Sequence, residues 1–427
     1  MPVRYFRFDV TSSASSETAF RHLIGETDHA FWLDDSLSET VSYIGIGSPI
    51  PVTDGFTEFD DDSLCPISRV GWVPYGERSS TLGVPVGDKA HPCSVVLGVE
   101  RAVEFDHTNG SVTVYSTNET EGLEWVTRLT ELVDDDSEEQ AAQPDANRTA
   151  VWRDNPIDYA RTIEKCRERI SNGDAYQLCL TTNVTVAGSI DVTRTYLELR
   201  RIAPTRYGGL VRSGGVALLS ASPESYLTIK DGIASTQPIK GTRRRSADPR
   251  EDEQLKRELV ESDKERAENL MIVDLCRNDL STVCDVGTVN VPALHVVETY
   301  STVHQLVSTV TGRVSAGQSN ADVARALFPA GSMTGAPKRA AVDILSALES
   351  GERGIYSGVF GYAGSRGMSL AMTIRSIVID GEGATIGVGG GITSGSLAAD
   401  EIREVGIKAT ALLSVLSASP NLFLATE

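Results

Sequence analysis

The chain has 427 residues, 40% hydrophobic and 23% charged, enough for a large core in two domains or one elaborate one. Its formal net charge of −20 argues against nucleic-acid binding, because neutralising phosphates takes a basic surface. The start Met1-Pro2-Val3-Arg4 lacks an apolar signal core, no stretch has the apolar length of a membrane span, and six cysteines without a CxxC pair read as reduced thiols; a cytoplasmic protein with no membrane contact is expected.

In chain order, residues 1–150 form a variable N-terminal region of mixed α and β character, with short strand-like pieces such as 94–98 and 111–115 between turns and few helices. The acidic stretch 134–147, with Pro144 inside, has almost no large apolar residue and reads as a linker or exposed loop. Residues 151–427 form the second region. There, 158–172 has the apolar spacing of an amphipathic helix closed by Gly173, and 176–186 alternates like a strand. Strands are predicted at 218–220 and 225–229 around a turn at Pro223, and a helix at 262–277. Successive strands follow at 358–362, 369–379 and 385–388, then a closing helix at 399–417. These strands neither alternate regularly with helices nor group as a sandwich, so the expected class is α+β, with large sheets covered by helices.

Several residues carry chemistry. Lys240 lies in Thr236-Gln237-Pro238-Ile239-Lys240-Gly241-Thr242, where Pro238 and Gly241 stiffen the backbone on either side. Arg243, Arg244 and Arg245 follow, and neighbouring cations favour the neutral, nucleophilic form of an amine; the same run would also serve as a basic surface loop. Glu265 with Glu268, and Glu401 with Glu404, each share a helix face; two such faces together would offer the four oxygen-rich carboxylates that Mg²⁺ prefers. Each pair alone is common on solvated helices, and Ser262 with Glu265 also fits a capping box. Gly389-Gly390-Gly391 reads as a glycine turn whose backbone N–H groups can approach an anion. The small-residue turn 330–338 carries Ser332, Thr334 and Lys338 without the Walker A spacing. Gln177, Glu224, His304 and Arg375 are single polar residues in strand-like segments, and Arg375, within an apolar strand, needs an anion nearby.

Over roughly residues 155–420, eight runs in order resemble the chorismate-utilising enzymes. They are Asp174-Ala175-Tyr176-Gln177, Ser222-Pro223-Glu224, Pro238-Ile239-Lys240-Gly241-Thr242, Lys264-Glu265-Arg266-Ala267-Glu268-Asn269, Val273-Asp274-Leu275-Cys276-Arg277-Asn278-Asp279-Leu280, Gly331-Ser332-Met333-Thr334-Gly335-Ala336-Pro337-Lys338, Tyr356-Ser357-Gly358 and Gly389-Gly390-Gly391-Ile392. Phe31-Trp32-Leu33-Asp34-Asp35-Ser36 resembles the early strand of the family's more variable part.

The resemblance implies a fold of large antiparallel sheets covered by helices, and chorismate bound with Mg²⁺ at its ring carboxylate. Glu268 and Glu404 match metal ligands, direct or through water, with Glu265 and Glu401 beside them. Arg375, Tyr356, the backbone at Gly390 and Gly391, and Lys408 match groups that hold the substrate carboxylates. Glu224 matches the general acid that protonates the departing C4 hydroxyl, and His304 and Thr334 match positions near the ring. Water-using members carry a lysine base where this chain has Gln177, so the substrate-facing Gln177 points to ammonia instead. Anthranilate synthases typically have alanine where this chain has Lys240; members that make 4-amino-4-deoxychorismate, on the route to p-aminobenzoate and folate, have lysine. No Gly-x-Cys-x-Gly nucleophile turn is present, and the family implies a separate glutamine amidotransferase subunit that delivers ammonia. Anthranilate formation is the nearest alternative, a non-catalytic sensor of a chorismate-like ligand is one of another class, and a Mg²⁺-dependent enzyme acting on a different carboxylate is a third. Gly390 stands where relatives often have alanine, which implies a looser turn.

Overall fold

The computed structural model describes residues 3–37, 40–52, 56–59, 65–84, 93–134, 148–300 and 303–419. The predicted linker beyond residue 134 therefore lies outside the described residues. Among them, 20 strands join one hydrogen-bonded network, and every ladder pairing in it is antiparallel. With helices packed on it, this is the α+β architecture expected.

From Gln177–Ala187 the pairing runs through Gly383–Ile392, Ser376–Ile379, Val216–Ser222 and Tyr207–Ser213 to Ala30–Asp34 and Val41–Pro49. It continues through Val95–Asp106, Arg69–Val73, Val359–Gly364, Gly367–Met372, Ser225–Lys230 and Ile233–Thr236 to Val303–Arg313. Ile239–Arg244 and Asn290–Thr299 are laid against that last strand. Strands from before residue 150 thus lie within the network: Ala30–Asp34 pairs with Tyr207–Ser213 and Arg69–Val73 with Val359–Gly364. The division near residue 150 is one of sequence character, and the ladder crosses it.

Helix starts follow from side-chain caps. Asn155 accepts from the Asp158 N–H ahead of Pro156–Ser171, and the Ser262 hydroxyl accepts from the Glu265 N–H ahead of Asp263–Ser281. Pro156–Ser171 buries Tyr159, Ile163 and Cys166 in one core with Val405, Ala409 and Leu412 of the Ala398–Val415 helix. Asp263–Ser281 buries Ile272, Val273 and Leu280 in a second core with Leu227 and Val310. The Val, Ile and Leu side chains among them contribute about 1.5–3 kcal/mol each by leaving water. The two helices that carry glutamate pairs are thereby fixed in separate cores of the one sheet network. No described helix is long and apolar enough to cross a membrane.

Two elements differ from expectation. The predicted strand 369–379 is two strands, Gly367–Met372 and Ser376–Ile379, with Arg375 at φ 52 between them. Side-by-side bonds to the 355–358 turn divert the chain: Thr373 N–H donates to Gly358 at 2.9 Å, Ser357 N–H donates to Thr373 at 3.1 Å, and the Thr373 hydroxyl donates to the Ile355 carbonyl. The predicted glycine turn 389–391 lies inside the strand Gly383–Ile392, with Gly390 opposite Leu180 and Gly391 opposite Cys179. These glycines serve close approach and not a turn, because a Cβ on Gly389 would lie 2.4 Å from the Leu180 carbonyl oxygen.

Candidate active site

The Lys240 segment is a bulged strand. Between Ile239 and Thr242 the register against Val303–Arg313 shifts, and Gly241 takes φ 82. An extra residue breaks the alternation of a strand and re-aims a side chain. Half-buried Lys240 emerges where its charge acts on the carboxyls of Glu224, Glu268 and Glu404, so the amine faces the other predicted site residues. The three arginines are not bare neighbours of it. Arg243 lies 3.6 Å from Glu265, Arg244 2.5 Å from Glu251 and Arg245 2.8 Å from Asp252, so their charge is directed at these acids.

Glu224 is buried just after Pro223, and loss of hydration pushes its carboxyl up to about 7, with the Lys240 charge and the Ser332 hydroxyl counteracting. It borders a cavity of about 20 Å³, room for roughly one water, shared with Ser332, Cys276 and Asp279.

The second helix brings Glu401, Glu404 and Lys408. Burial raises both Glu268 and Glu401; the charges of Glu265 and Glu401 raise Glu268 further, and that of Glu404 raises Glu401. The Ser396 hydroxyl donates to Glu401 at 2.7 Å. Burial would also raise Glu404, but Lys408, at 2.6 Å, with Lys264 and Lys240, more than offsets it. Lys408 also donates to the Gly389 carbonyl at 2.8 Å, which ties the helix to the glycine strand. The two glutamate pairs are thus brought into electrostatic contact. Among the described residues, however, no three His, Cys, Asp or Glu side chains are gathered as a metal cluster; lysines are interleaved with the carboxylates.

Arg375 is not buried in a strand. Solvent reaches it at the break between strands, where it donates to the Lys408 carbonyl at 3.3 Å. Protein nevertheless walls it closely enough that lost hydration lowers its pKa from the ordinary guanidinium value, against the opposing charges of Tyr356 and Glu404. Burial raises the Tyr356 hydroxyl, and its ring fills the space over Gly387, where a Cβ would lie 2.1 Å from Tyr356 Cγ. Gln177 is fully buried, and neither amide atom has a hydrogen-bond partner among the described residues. It abuts Gly391, whose Cβ would lie 2.2 Å from Gln177 Nε2.

Two predicted residues are engaged elsewhere. His304 places Nδ1 2.9 Å from the Thr299 hydroxyl and Nε2 3.0 Å from Asp252, so both ring nitrogens are occupied. The Thr334 hydroxyl is buried and donates to the Ala330 carbonyl at 3.1 Å. Both support the walls, and this geometry does not favour direct catalysis by either.

Sequence reasoning missed Arg353. This buried guanidinium pairs with Glu349 at 2.8 Å, donates to the Met333 carbonyl at 2.6 Å and the Cys179 carbonyl at 2.9 Å, and sits 4.3 Å from the Tyr75 ring centroid. It binds two backbone stretches under the site, and only its i,i+4 spacing from Glu349 was there to be read.

Comparison with known proteins gives this arrangement a family. A profile described as chorismate binding enzyme matches residues 17–414, on both sides of residue 150. The chain is 35% identical over 473 aligned residues to an aminodeoxychorismate synthase of Streptomyces pristinaespiralis, covering 97% of this chain and 66% of that protein. It is 38% identical over 280 residues to anthranilate synthase component 1 of Streptomyces coelicolor, covering 65% of this chain and 55% of the relative. The crystal structure of anthranilate synthase component I from Streptococcus pneumoniae superposes with a TM-score of 0.74 at 25% identity, covering 96% of this chain and 92% of that one. With the family profile spanning both the strand network and the cleft, the chain belongs to the chorismate binding enzymes.

Proposed function

We propose that the chain carries out the amination step of aminodeoxychorismate synthase, converting chorismate and ammonia to 4-amino-4-deoxychorismate for p-aminobenzoate and folate. The observation that carries this reading is the juxtaposition of Lys240 with Glu224, a buried acid poised near neutral pH. Lys240 first gives its ammonium proton to solvent; its amine then attacks C2 of the substrate, the double bond shifts, and the C4 hydroxyl leaves as water with the proton of Glu224. Ammonia then attacks C4, the double bond returns, and the Lys240 amine is expelled. The Glu224 carboxylate takes the proton from the new C4 ammonium, so the acid is restored and the product keeps its enolpyruvyl group.

Arg375, Tyr356, Lys408 and the backbone at Gly390 and Gly391 hold the substrate carboxylates in this reading, and the unpaired amide of Gln177 faces the substrate without acting as a base. The buried carboxylates suit a hard cation: Glu268 and Glu401 are both raised by burial and by nearby carboxylates, a repulsion that Mg²⁺ would relieve. Glu268 and Glu404 would be its ligands, with Glu265 and Glu401 beside them. Bound there, Mg²⁺ would neutralise the ring carboxylate of chorismate. A separate glutamine amidotransferase subunit supplies the ammonia.

The test is incubation with chorismate, Mg²⁺ and an ammonium salt. A product that yields p-aminobenzoate only after a lyase is added supports the proposal. Fluorescent anthranilate favours the second reading, which the Streptomyces coelicolor and Streptococcus pneumoniae relatives support, and tight chorismate binding without turnover favours a sensor. Lys240→Ala is expected to abolish 4-amination or redirect ammonia to C2; an unchanged product and rate would exclude a covalent lysine. Chelation should abolish turnover, and added Mg²⁺ restore it.

A further inference from the structure

The bulge that presents Lys240 leaves its backbone out of ladder register between Ile239 and Thr242, so the ladder holds it only at its two flanks. The nearest upstream anchor is the Pro238 carbonyl, which accepts from Asn269 Nδ2 and from the Ser308 N–H, each at 3.2 Å. The Ser308 hydroxyl donates to Asn269 Oδ1 at 2.5 Å and accepts from the His295 N–H at 2.9 Å. Asn269 and Ser308 are both 0% exposed. Every bond in this set is internal, and none of its side chains reaches the cleft carboxylates by hydrogen bonding. Asn269 also directly follows Glu268 on the same helix, so one amide ties the Lys240 strand to the helix bearing Glu265 and Glu268.

We propose that Asn269 and Ser308 are positioning residues that set the reach of Lys240, a role that deepens and rests on the function proposed above. The lysine must arrive at C2 while Glu224 protonates the leaving group at C4, and a displacement of about 1 Å costs on the order of 100-fold in rate. If the lock loosens, the amine arrives late and free ammonia can attack C2 directly. That route forms the C2–N bond, shifts the double bond and expels the C4 hydroxyl as water with the Glu224 proton, giving a 2-amino isomer.

The experiment compares Ser308→Ala, Asn269→Ala and the hydroxyl-retaining Ser308→Thr with the wild type. Three readouts are taken: kcat and KM with ammonium, the ratio of 2-amino to 4-amino product by chromatography and mass spectrometry, and hydrogen exchange of the segment 238–242. The expected result for both alanine variants is a kcat for 4-amination lowered on the order of 100-fold, near-unchanged KM for chorismate and a raised 2-amino share. Faster exchange should be confined to 238–242, and Ser308→Thr should restore the wild-type ratio. A merely structural role would raise KM and lower both products together. Wild-type ratios and exchange in the alanine variants would overturn the proposal, as would loss of activity with 238–242 still protected. Should the wild type itself make only the 2-amino product, the function reading fails, whereas unchanged exchange at 238–242 in Ser308→Ala would by itself refute the lock.

Discussion

The glycine strand Gly383–Ile392 keeps unbroken antiparallel register against its partner from Ala187 to Leu178, whereas Ile239–Arg244 loses register against Val303–Arg313 between Ile239 and Thr242. The first wall is a surface defined by ladder bonds, with small residues that let Gln177 and Tyr356 press against the backbone. The second gives up ladder bonds to aim one amine, and side chains of a neighbouring helix and strand hold what the ladder no longer does. Regular backbone suits a binding surface that should not move. A bulge suits a single reactive group that strand alternation would have turned away.

The largest expected effect comes from Glu224, the acid that the Lys240 wall faces. Glu224→Gln keeps the size and removes the proton, so kcat should fall about 10²–10⁴-fold with chorismate binding retained. In the native enzyme the group works protonated, so kcat should decline as pH rises through about 7, and the variant should lack that limb. Stability carries the same signature. The folded carboxyl titrates near 7 against 4.5 ordinarily, so the folded state holds the proton more tightly and stability falls as pH rises between those values, by about 3 kcal/mol. Denaturant titrations of Glu224→Gln should show a flatter profile across this window. A native-like slope would mean that Glu224 is not the buried acid described.

The regular wall is probed by two neighbouring glycines. Gly391→Ala puts a Cβ 2.2 Å from Gln177 Nε2 and 3.2 Å from its Cδ, so the whole buried amide must shift; a loss of about 1–3 kcal/mol and a raised KM for chorismate are expected. Gly390→Ala meets only Glu401 Oε2 at 3.0 Å, the far end of a side chain, and should be nearly silent in thermal unfolding. Equal effects at the two positions would show that the strand behaves as the flexible turn its sequence resembles.

That misreading shows what the sequence could carry. The helices bearing Glu265, Glu268, Glu401 and Glu404 were legible because their spacing and the Ser262 cap are local facts. The glycine run was not, since three glycines spell a turn locally and only Leu180 and Gln177, over two hundred positions away, explain Gly389 and Gly391 as close packing. Arg375 was misplaced for a similar reason: its apolar neighbours predict a strand, and the bonds from Ser357, Gly358 and Ile355 that break it are tertiary. Motif order identified the cleft, but it could not reveal that the arginines after Lys240 are paired to Glu251, Asp252 and Glu265, or that both nitrogens of His304 are occupied.

The irregular wall is tested most gently at Gly241, and here stability and function should separate. At φ 82 a side chain costs about 1–2 kcal/mol, and an added Cβ would lie 2.6 Å from Leu259 Cδ1 and 2.9 Å from Glu265 Cδ. Both contacts are side-chain ends that can shift, so Gly241→Ala should fold with a modestly lower Tm. Displacing the Glu265 carboxylate would also disturb its pairing with Arg243, which follows the bulge. The product ratio should therefore move towards 2-amination more than the small stability loss would imply. A variant with lowered Tm and an unchanged ratio would show that Lys240 is held from the Pro238 side alone, and would place the whole burden of aiming on Asn269 and Ser308.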